Sequence, residues 1–490
     1  MCDRLDPGVR LTFLGHQSWL AQVDDSAVLI DPVLHAAFGH SRWAPFPVWP
    51  PRRVDVAAMP QVGAVVLSHE HLDHFHLPSL AELPRDTPIL VGPLFPAAAC
   101  RAVERLGFTV RRTPVAVPVD VGALRLRLLP AGAGTVVWEN RVTQVELQSV
   151  DGRSPRVVVG VDALISDVLV AEHEDTGRCP DLFVASNNSQ IVPPGACGAT
   201  TNLLTGALSG FDRDAALGDL ADGLVQRART QLPGLRRFAL CGDGFVDPRQ
   251  PFGPFLLSDN RVVADFAARR YPDAEVHAPR PGETLTVGAR SVALSAVSWV
   301  EPDPATERAG TARLAAFLAE PAPPGLQRLL PPSDGPAESA RDLADVRDSL
   351  PYLAVSMLTS RTGKVMLGVH DSLAGSVGSE RFLFRVWHGE RPLDHCLDVA
   401  EGRFMQCPPA PNPLVEYPFG LEVHLEDWAG VVRGEIQVWD LAGPALRSWY
   451  LGSVYDSPIG ALYQYYGEHV RPDLAATLYE SVLATLAPAR

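Results

Sequence analysis

Short apolar runs separated by turn residues fill the first 160 positions and predict strands at Leu11–Leu14, Trp19–Val23, Ala27–Ile30, Ala64–Leu67, Ile89–Val91, Leu124–Leu129, Gln144–Val150 and Arg156–Val161. Apolar residues at helical spacing over Phe95–Leu106, stopped by Gly107, predict a helix. A second block follows. Asp181–Ala185 and Arg237–Leu240 read as strands, Asp214–Gln231 as a helix, and Ser258–Arg270 as a helix with Ser258 at the N-cap position. Glu275–Ala278, Thr284–Val287 and Ser291–Leu294 close the block as strands. Strands, interleaved helices and strands again predict an α/β fold of two sheets packed face to face with helices outside. Residues 35–60, rich in Pro, Trp and Arg and without a period, read as a long loop near the site, either a lid or an irregular surface excursion.

The texture changes near residue 299. Prolines in Glu301-Pro-Asp-Pro304, Pro321-Ala-Pro-Pro324 and Pro331-Pro-Ser-Asp-Gly-Pro336 punctuate a helical bridge over 299–339. Residues 340–490 follow as an α+β domain. A helix is expected around Arg341–Leu350, strands at Phe382–Trp387, Leu421–His424 and Gly434–Val438, and a terminal helix over Leu474–Leu486. This part faintly resembles a sterol-carrier-like domain. His370, His388, His395, His424 and His469 are isolated within it, so we expect a module that shapes substrate access and leaves the chemistry to residues 8–298. A chain of 490 residues is too long for one core and fits this division.

Composition narrows the function classes. A formal charge of −15 disfavours nucleic acid and anionic membranes as partners. No apolar run is long enough to span a bilayer and no leader pattern opens the chain. The seven cysteines are scattered and include no Cys-x-x-Cys, which predicts free thiols and a cytoplasmic setting.

The candidate chemistry sits in Val65-Val-Leu-Ser-His-Glu-His-Leu-Asp-His-Phe-His76. Four metal-competent side chains within six residues converge only if the chain leaves a strand and turns tightly into a helix. His69 and His71 then serve one metal, and Asp73 and His74 a second. Imidazole and carboxylate together suit Zn, Fe or Mn, and the absence of thiolate argues against a structural zinc knot.

This His-x-His-x-Asp-His run resembles the metallo-β-lactamase superfamily. Leu11-Thr-Phe-Leu-Gly-His-Gln-Ser18 and Val28-Leu-Ile-Asp-Pro32 are similar to the opening strands of its lactonase and phospholipase-D-like branch. The resemblance covers residues 8–298 and implies an αββα four-layer sandwich. It also implies that His16 lines the site, with Asp73 and His16 as the candidate catalytic pair, and that Asp31 orients a ligand histidine from behind. Members of the superfamily bring a further histidine, a bridging aspartate and a last histidine. Asp162, ending Val157-Val-Val-Gly-Val-Asp162, fits the aspartate and offers an oxygen to each of two cations. No histidine lies between His76 and His173, and Glu139 is the residue that stands in that slot. The strand Arg237–Leu240 runs into Cys241-Gly-Asp-Gly-Phe245, so Asp243 or Cys241 replaces the last histidine, or the position is open. His173 reads as part of a solvated cluster and His277 as structural.

Glutamate in place of imidazole favours redox-active Fe or Mn over Zn. The pattern resembles the diiron β-hydroxylase branch of the superfamily, of chloramphenicol-biosynthesis type. That resemblance implies two irons, held by His69, His71 and Glu139 on one side and Asp73 and His74 on the other, with Asp162 shared. It further implies a small-molecule or carrier-bound substrate and an external electron donor. The alternative is a dinuclear hydrolase acting on lactones, phosphodiesters or thioesters.

Overall fold

The computed structural model describes residues 8–40, 46–135, 140–187, 200–202, 213–242, 259–319, 326–367, 381–441, 445–451, 458–465 and 471–486. Two sheets make up the first part. The eight-stranded sheet runs, edge to edge, through Val292–Ala296, Glu283–Val287, Val9–Gly15, Ser18–Val23, Ser26–Ile30, Ala64–Leu67, Ile89–Val91 and Val110–Arg112. The seven-stranded sheet runs through Val119–Val121, Leu124–Pro130, Thr143–Ser149, Val157–Val159, Leu182–Ser186, Arg237–Cys241 and Glu275–His277.

Alternation along each strand explains the layering. Val28, Ile30, Ala64 and Val66 point inward and meet Val145, Leu147, Val159 and Val184 of the opposite sheet. Their neighbours Ala27, Leu29, Val65 and Leu67 point outward, under the helices Leu77–Ala81 and Ala97–Arg105. Phe183, Ala185, Phe238 and Leu240 do the same on the second sheet, under helices Asp167–Thr176 and Asn260–Arg270. The result is the four-layer sandwich, with each buried Val, Leu or Phe contributing about 1.5–3 kcal/mol of burial.

The strands after Ser26–Ile30 in the first sheet, and from Val157–Val159 onward in the second, pair in parallel. Their carboxyl ends therefore open at one rim, where an α/β sheet places its ligands. Within 35–60, Ala37–Phe38 pairs with Phe46–Pro47, and Arg52–Val54 pairs with Val300–Pro302. Buried Arg52 pins this segment by donating to the carbonyls of Leu14 (2.7 Å) and Val33 (2.6 Å) and to that of His35. Burial lowers its pKa to about 10, so it keeps its charge.

A six-stranded sheet organises the C-terminal part, in the order Thr200–Asn202, Leu446–Tyr450, Phe419–His424, Phe382–His388, Arg391–Asp398 and Arg403–Cys407. Helices Pro336–Thr359 and Leu425–Arg433 cover one of its faces. Two links tie this part to the first. Thr200–Asn202 adds an edge strand to it in parallel. The helix Pro472–Leu486 lays Tyr479, Val482 and Leu483 into the outer core of the first sheet.

Three expectations change. Gly434–Val438 is not a strand: Gly434 ends helix Leu425–Arg433 with φ at 72°, and Ile436 and Val438 are buried without ladder pairing. Helix Asn260–Arg270 is capped by Asp259, whose carboxylate accepts from the Arg261 amide. The expected helix Asp214–Gln231 carries a π turn over Asp222–Gln226. Among the described residues, no helix is long and apolar enough to cross a membrane.

Candidate metal centre

The rim site begins with two tight turns. Gly15 and His16 have φ of 107° and 54°, which swings the chain from strand Val9–Gly15 into Ser18–Val23. Ser18 fixes this turn to its neighbour: its hydroxyl donates to the Asp31 carbonyl (2.7 Å) and accepts from the Val33 amide (2.8 Å). The Gly-His-x-Ser and Ile-Asp-Pro segments thus form one hydrogen-bonded unit.

The second turn follows Ala64–Leu67. The amides of His74 and Phe75 both donate to the His71 carbonyl, at 2.9 and 2.7 Å, closing the turn before helix Leu77–Ala81. Asp31 supports it from behind. Its Oδ1 accepts from the Ser68 amide at 2.7 Å. Its Oδ2 accepts from the Ser68 hydroxyl at 2.6 Å and from His74 Nδ1 at 2.8 Å. Ser68 Oγ in turn accepts from His69 Nδ1 at 3.0 Å. Both imidazoles therefore have their Nδ1 anchored and present Nε2 to the site.

There His74 Nε2 lies 3.2 Å from Asp162 Oδ2 and 3.5 Å from Asp73 Oδ2, and His69 Nε2 lies 3.8 Å from Asp162 Oδ2. His16 Nε2 lies 2.8 Å from Asp73 Oδ2, its ring 4.9 Å from that of Phe38 in the loop over 35–60. Asp162 is oriented by Gln17 Nε2 (2.9 Å) and Ser186 Oγ (3.0 Å), both donating to Oδ1. Oδ2 is the oxygen that lies toward His69 and His74.

His71 is placed differently. Its Nε2 accepts from Arg141 at 3.0 Å, and Arg141 is pinned by Glu70, with both carboxylate oxygens 2.6 Å from Nε. Its ring lies 4.4 Å from that of His69. Glu139 and Asp243 lie outside the described residues. Cys241 is fully buried, its thiol donating to Gln17 Oε1 at 3.2 Å and turned into the core between the sheets. His173 pairs with Cys179 Sγ at 3.3 Å and His277 with Glu275 at 2.9 Å, neither at the rim. Of the C-terminal histidines, His424 Nε2 faces the Leu326 carbonyl and His395 packs on Phe384. His370 and His469 lie outside the described residues.

Electrostatics favour a cation here. Burial opposes a charge on His74, yet Asp73, Asp162 and Asp31 together raise its pKa well above the usual value. Burial likewise opposes ionised Asp73, and His74 and His16 overcome it, drawing the carboxyl well below its usual range. Burial first, then the neighbouring imidazoles, holds His69 neutral, with its pKa well lowered. Among the described residues, His69 Nε2 is a buried nitrogen with no hydrogen-bond partner. A neutral imidazole with an orphaned lone pair, aimed at carboxylates that otherwise hold a proton on His74, fits a metal ion. His69, His74 and Asp162 each place a donor atom within 4.8 Å of the other two.

Gln17, Ser68, Ser186 and Arg141 escaped the sequence reading. Ser68 and Gln17 adjoin motif residues and had a positional signal; Ser186 and Arg141 had none.

Residues 26–164 match the family model of the beta-lactamase superfamily domain. Uncharacterized proteins of Mycobacterium bovis and Mycobacterium tuberculosis are 36% identical over 78 residues, 15% of this chain. The match spans 20% of the length of those relatives. Among solved structures, a possible metal-dependent hydrolase from Veillonella parvula is similar at 16% identity, with TM-score 0.36, over 58% of this chain and 99% of that one. CmlA, a diiron β-hydroxylase from Streptomyces venezuelae, is similar at 16% identity with TM-score 0.37, over 60% of this chain and 54% of its own.

Proposed function

With a beta-lactamase superfamily domain match over residues 26–164 as premise, we propose that the protein is a dinuclear non-haem iron oxygenase. It hydroxylates a small or carrier-bound metabolite and draws electrons from an external donor. The observation that carries this reading is the donor set. Asp73 and Asp162 converge on His74, Asp31 backs it, and the chain carries no histidine at the two later slots of the superfamily pattern. Carboxylate enrichment suits Fe and its higher oxidation states better than Zn.

In this reading His69 and His74 bind through Nε2, and Ser68 and Asp31 hold their tautomers. Asp162 binds through Oδ2 while Gln17 and Ser186 orient it. Asp73 binds beside His74, and Glu139 joins His69 and His71. When bound, an iron pair supplies the one-electron steps that reduce O₂. Arg141 and Glu70 set the environment of His71. Phe38 packs its ring against that of His16 at the edge of the site. We place this chemistry in residues 8–298 and in a reducing cytoplasm, where the five described cysteines stay as thiols.

A second reading, metal-dependent hydrolysis of a lactone, phosphodiester or thioester, is favoured by Asp73. Its carboxylate is held ionised, is partly open to solvent and is placed to accept a proton from water.

The test is metal analysis of protein purified anaerobically and aerobically, with iron, manganese and zinc all supplied. Two irons per chain and reductant-dependent O₂ consumption are expected. Zinc alone, with ester or lactone turnover and no O₂ uptake, would replace the oxygenase by the hydrolase. Glu139→Ala is expected to lose one metal per chain while far-UV dichroism stays unchanged. Two retained metals would remove Glu139 from the ligand set.

A further inference from the structure

We propose that His16 is itself a metal ligand, completing the Asp73–His74 side of the centre where strand Arg237–Cys241 supplies no imidazole. This rests on the dinuclear reading above and assigns its open position.

Among the described residues of the strand end, none offers a ligand to the centre. Cys241 points into the core, and Gly242 has no side chain. The His16 turn docks on that strand end: the Gly242 amide donates to the His16 carbonyl at 2.6 Å. At Gly242, φ is +80°, and an added Cβ would stand 3.1 Å from the Asn187 amide and 3.1 Å from Gln17 Nε2. The imidazole of His16 therefore reaches the centre from the place where the strand stops, and it is 2% exposed.

The spacing of the donor atoms fits coordination. His16 Nε2 to Asp73 Oδ2 is 2.8 Å, Asp73 Oδ2 to His74 Nε2 is 3.5 Å, and His74 Nε2 to Asp162 Oδ2 is 3.2 Å. Metal–ligand bonds of about 2.0–2.2 Å put adjacent donors roughly 3 Å apart in an octahedron and roughly 3.4 Å apart in a tetrahedron. The three separations are those of neighbouring corners of one polyhedron. Two imidazoles and two carboxylates also balance the charge of one divalent ion. The contact between His16 and Asp73 is a hydrogen bond between two groups that a cation draws to itself.

Two variants separate a ligand from a group that only positions Asp73. His16→Asn removes the imidazole and tolerates the left-handed backbone. His16→Gln keeps a donor able to reach Asp73. Apo-protein is loaded with Co(II), and we follow cobalt per chain, the dissociation constant by chelator competition, the visible spectrum, and the paramagnetically shifted imidazole N–H resonances. The wild type should bind two cobalt ions. Both variants should weaken the second ion by more than about 100-fold, beyond the 10–100-fold typical of outer-shell partners. Each should lose one shifted N–H resonance, and free imidazole should restore the visible spectrum of His16→Asn.

Wild-type affinity and resonance count in His16→Gln would overturn the assignment and make His16 a positioning residue. A wild type that binds fewer than two ions would overturn this proposal together with the dinuclear reading. Because cobalt reports ligation alone, a failed oxygenase assay leaves the outcome readable.

Discussion

Asp31→Asn tests the support behind the centre most directly. The carboxylate is 1% exposed and makes three hydrogen bonds: the Ser68 amide at Oδ1, and the Ser68 hydroxyl and His74 Nδ1 at Oδ2. Asparagine keeps the size of the side chain and can leave its oxygen on the Ser68 amide. Its NH₂ group then faces His74 Nδ1, and two donors cannot share that contact. His74 must move its proton to Nε2, the atom that points at Asp162 and Asp73, and the lone pair needed for a metal is lost. Outer-shell changes of this kind cost 10–100-fold in metal affinity, about 1.4–2.7 kcal/mol. The assay is chelator competition with Zn or Co on apo-protein, with far-UV dichroism as the control for folding. Ser68→Ala is the comparison: it removes neutral and charge-assisted bonds but leaves the contact between Asp31 and His74, so it should cost less. Affinity unchanged in Asp31→Asn, or a larger loss in Ser68→Ala, would refute the tautomer argument.

Two other outcomes follow from the packing. Burial lowers the pKa of His40 to about 4. The unfolded chain protonates this residue near 6.5, so between 6.5 and 4 the unfolded state binds more protons and stability falls with pH. Measured as the difference from His40→Leu, that loss should approach about 3 kcal/mol at pH 4, and parallel stability–pH curves for the two proteins would count against it. Truncation near residue 335 removes Tyr479, Val482 and Leu483 from the outer core of the first sheet, roughly 5–8 kcal/mol of burial against a typical total of about 5–15 kcal/mol. The truncated chain should melt far lower and aggregate, and fusing residues 472–486 back should restore it. A truncated protein that melts like the full chain would show that this helix is dispensable.

Much of the rim was legible because it is local. The strand-to-turn run brings His69, Asp73 and His74 to one rim, and the strand ends at Asp31 and Asp162 mark where carboxylates meet it. The alternation that separates Val66 from Val65 and Leu67 gave the layers. What the sequence hid is long-range. Gln17 reaches Asp162 across 145 positions, and Arg141 reaches His71 across 70, so neither contact leaves a periodic trace. The partner strand of Leu446–Tyr450 comes from Thr200–Asn202, which no local pattern announces. Gly434 misled for a physical reason: Ile436 and Val438 carry the apolar alternation of a strand, but a left-handed glycine ends a helix just before them and their backbone enters no ladder.

The backbone at the rim shows how the fold holds this geometry. Among the described residues five non-glycine positions have positive φ, and three of them are His16 (54°), Asp31 (46°) and Val161 (51°). Val161 is β-branched, for which this conformation is an outlier. Each such residue costs about 1–3 kcal/mol and persists only where its surroundings over-determine it. Here they do. Ser18 ties the His16 turn to Asp31, the Asp31 amide donates to the Val66 carbonyl at 3.0 Å, and the Gly160 amide next to Val161 donates to the Val184 carbonyl at 2.8 Å. The three bends bring His16, Asp31 and Asp162 to the rim from different strands. His74, Asp73 and Asp162 therefore need only give up a proton to accept a cation. His71 must also part from Arg141, whose charge disfavours a second positive charge beside it. If two ions bind as proposed, the His74 side is expected to fill first in a stepwise metal titration, and the His69–His71 side when Arg141 yields.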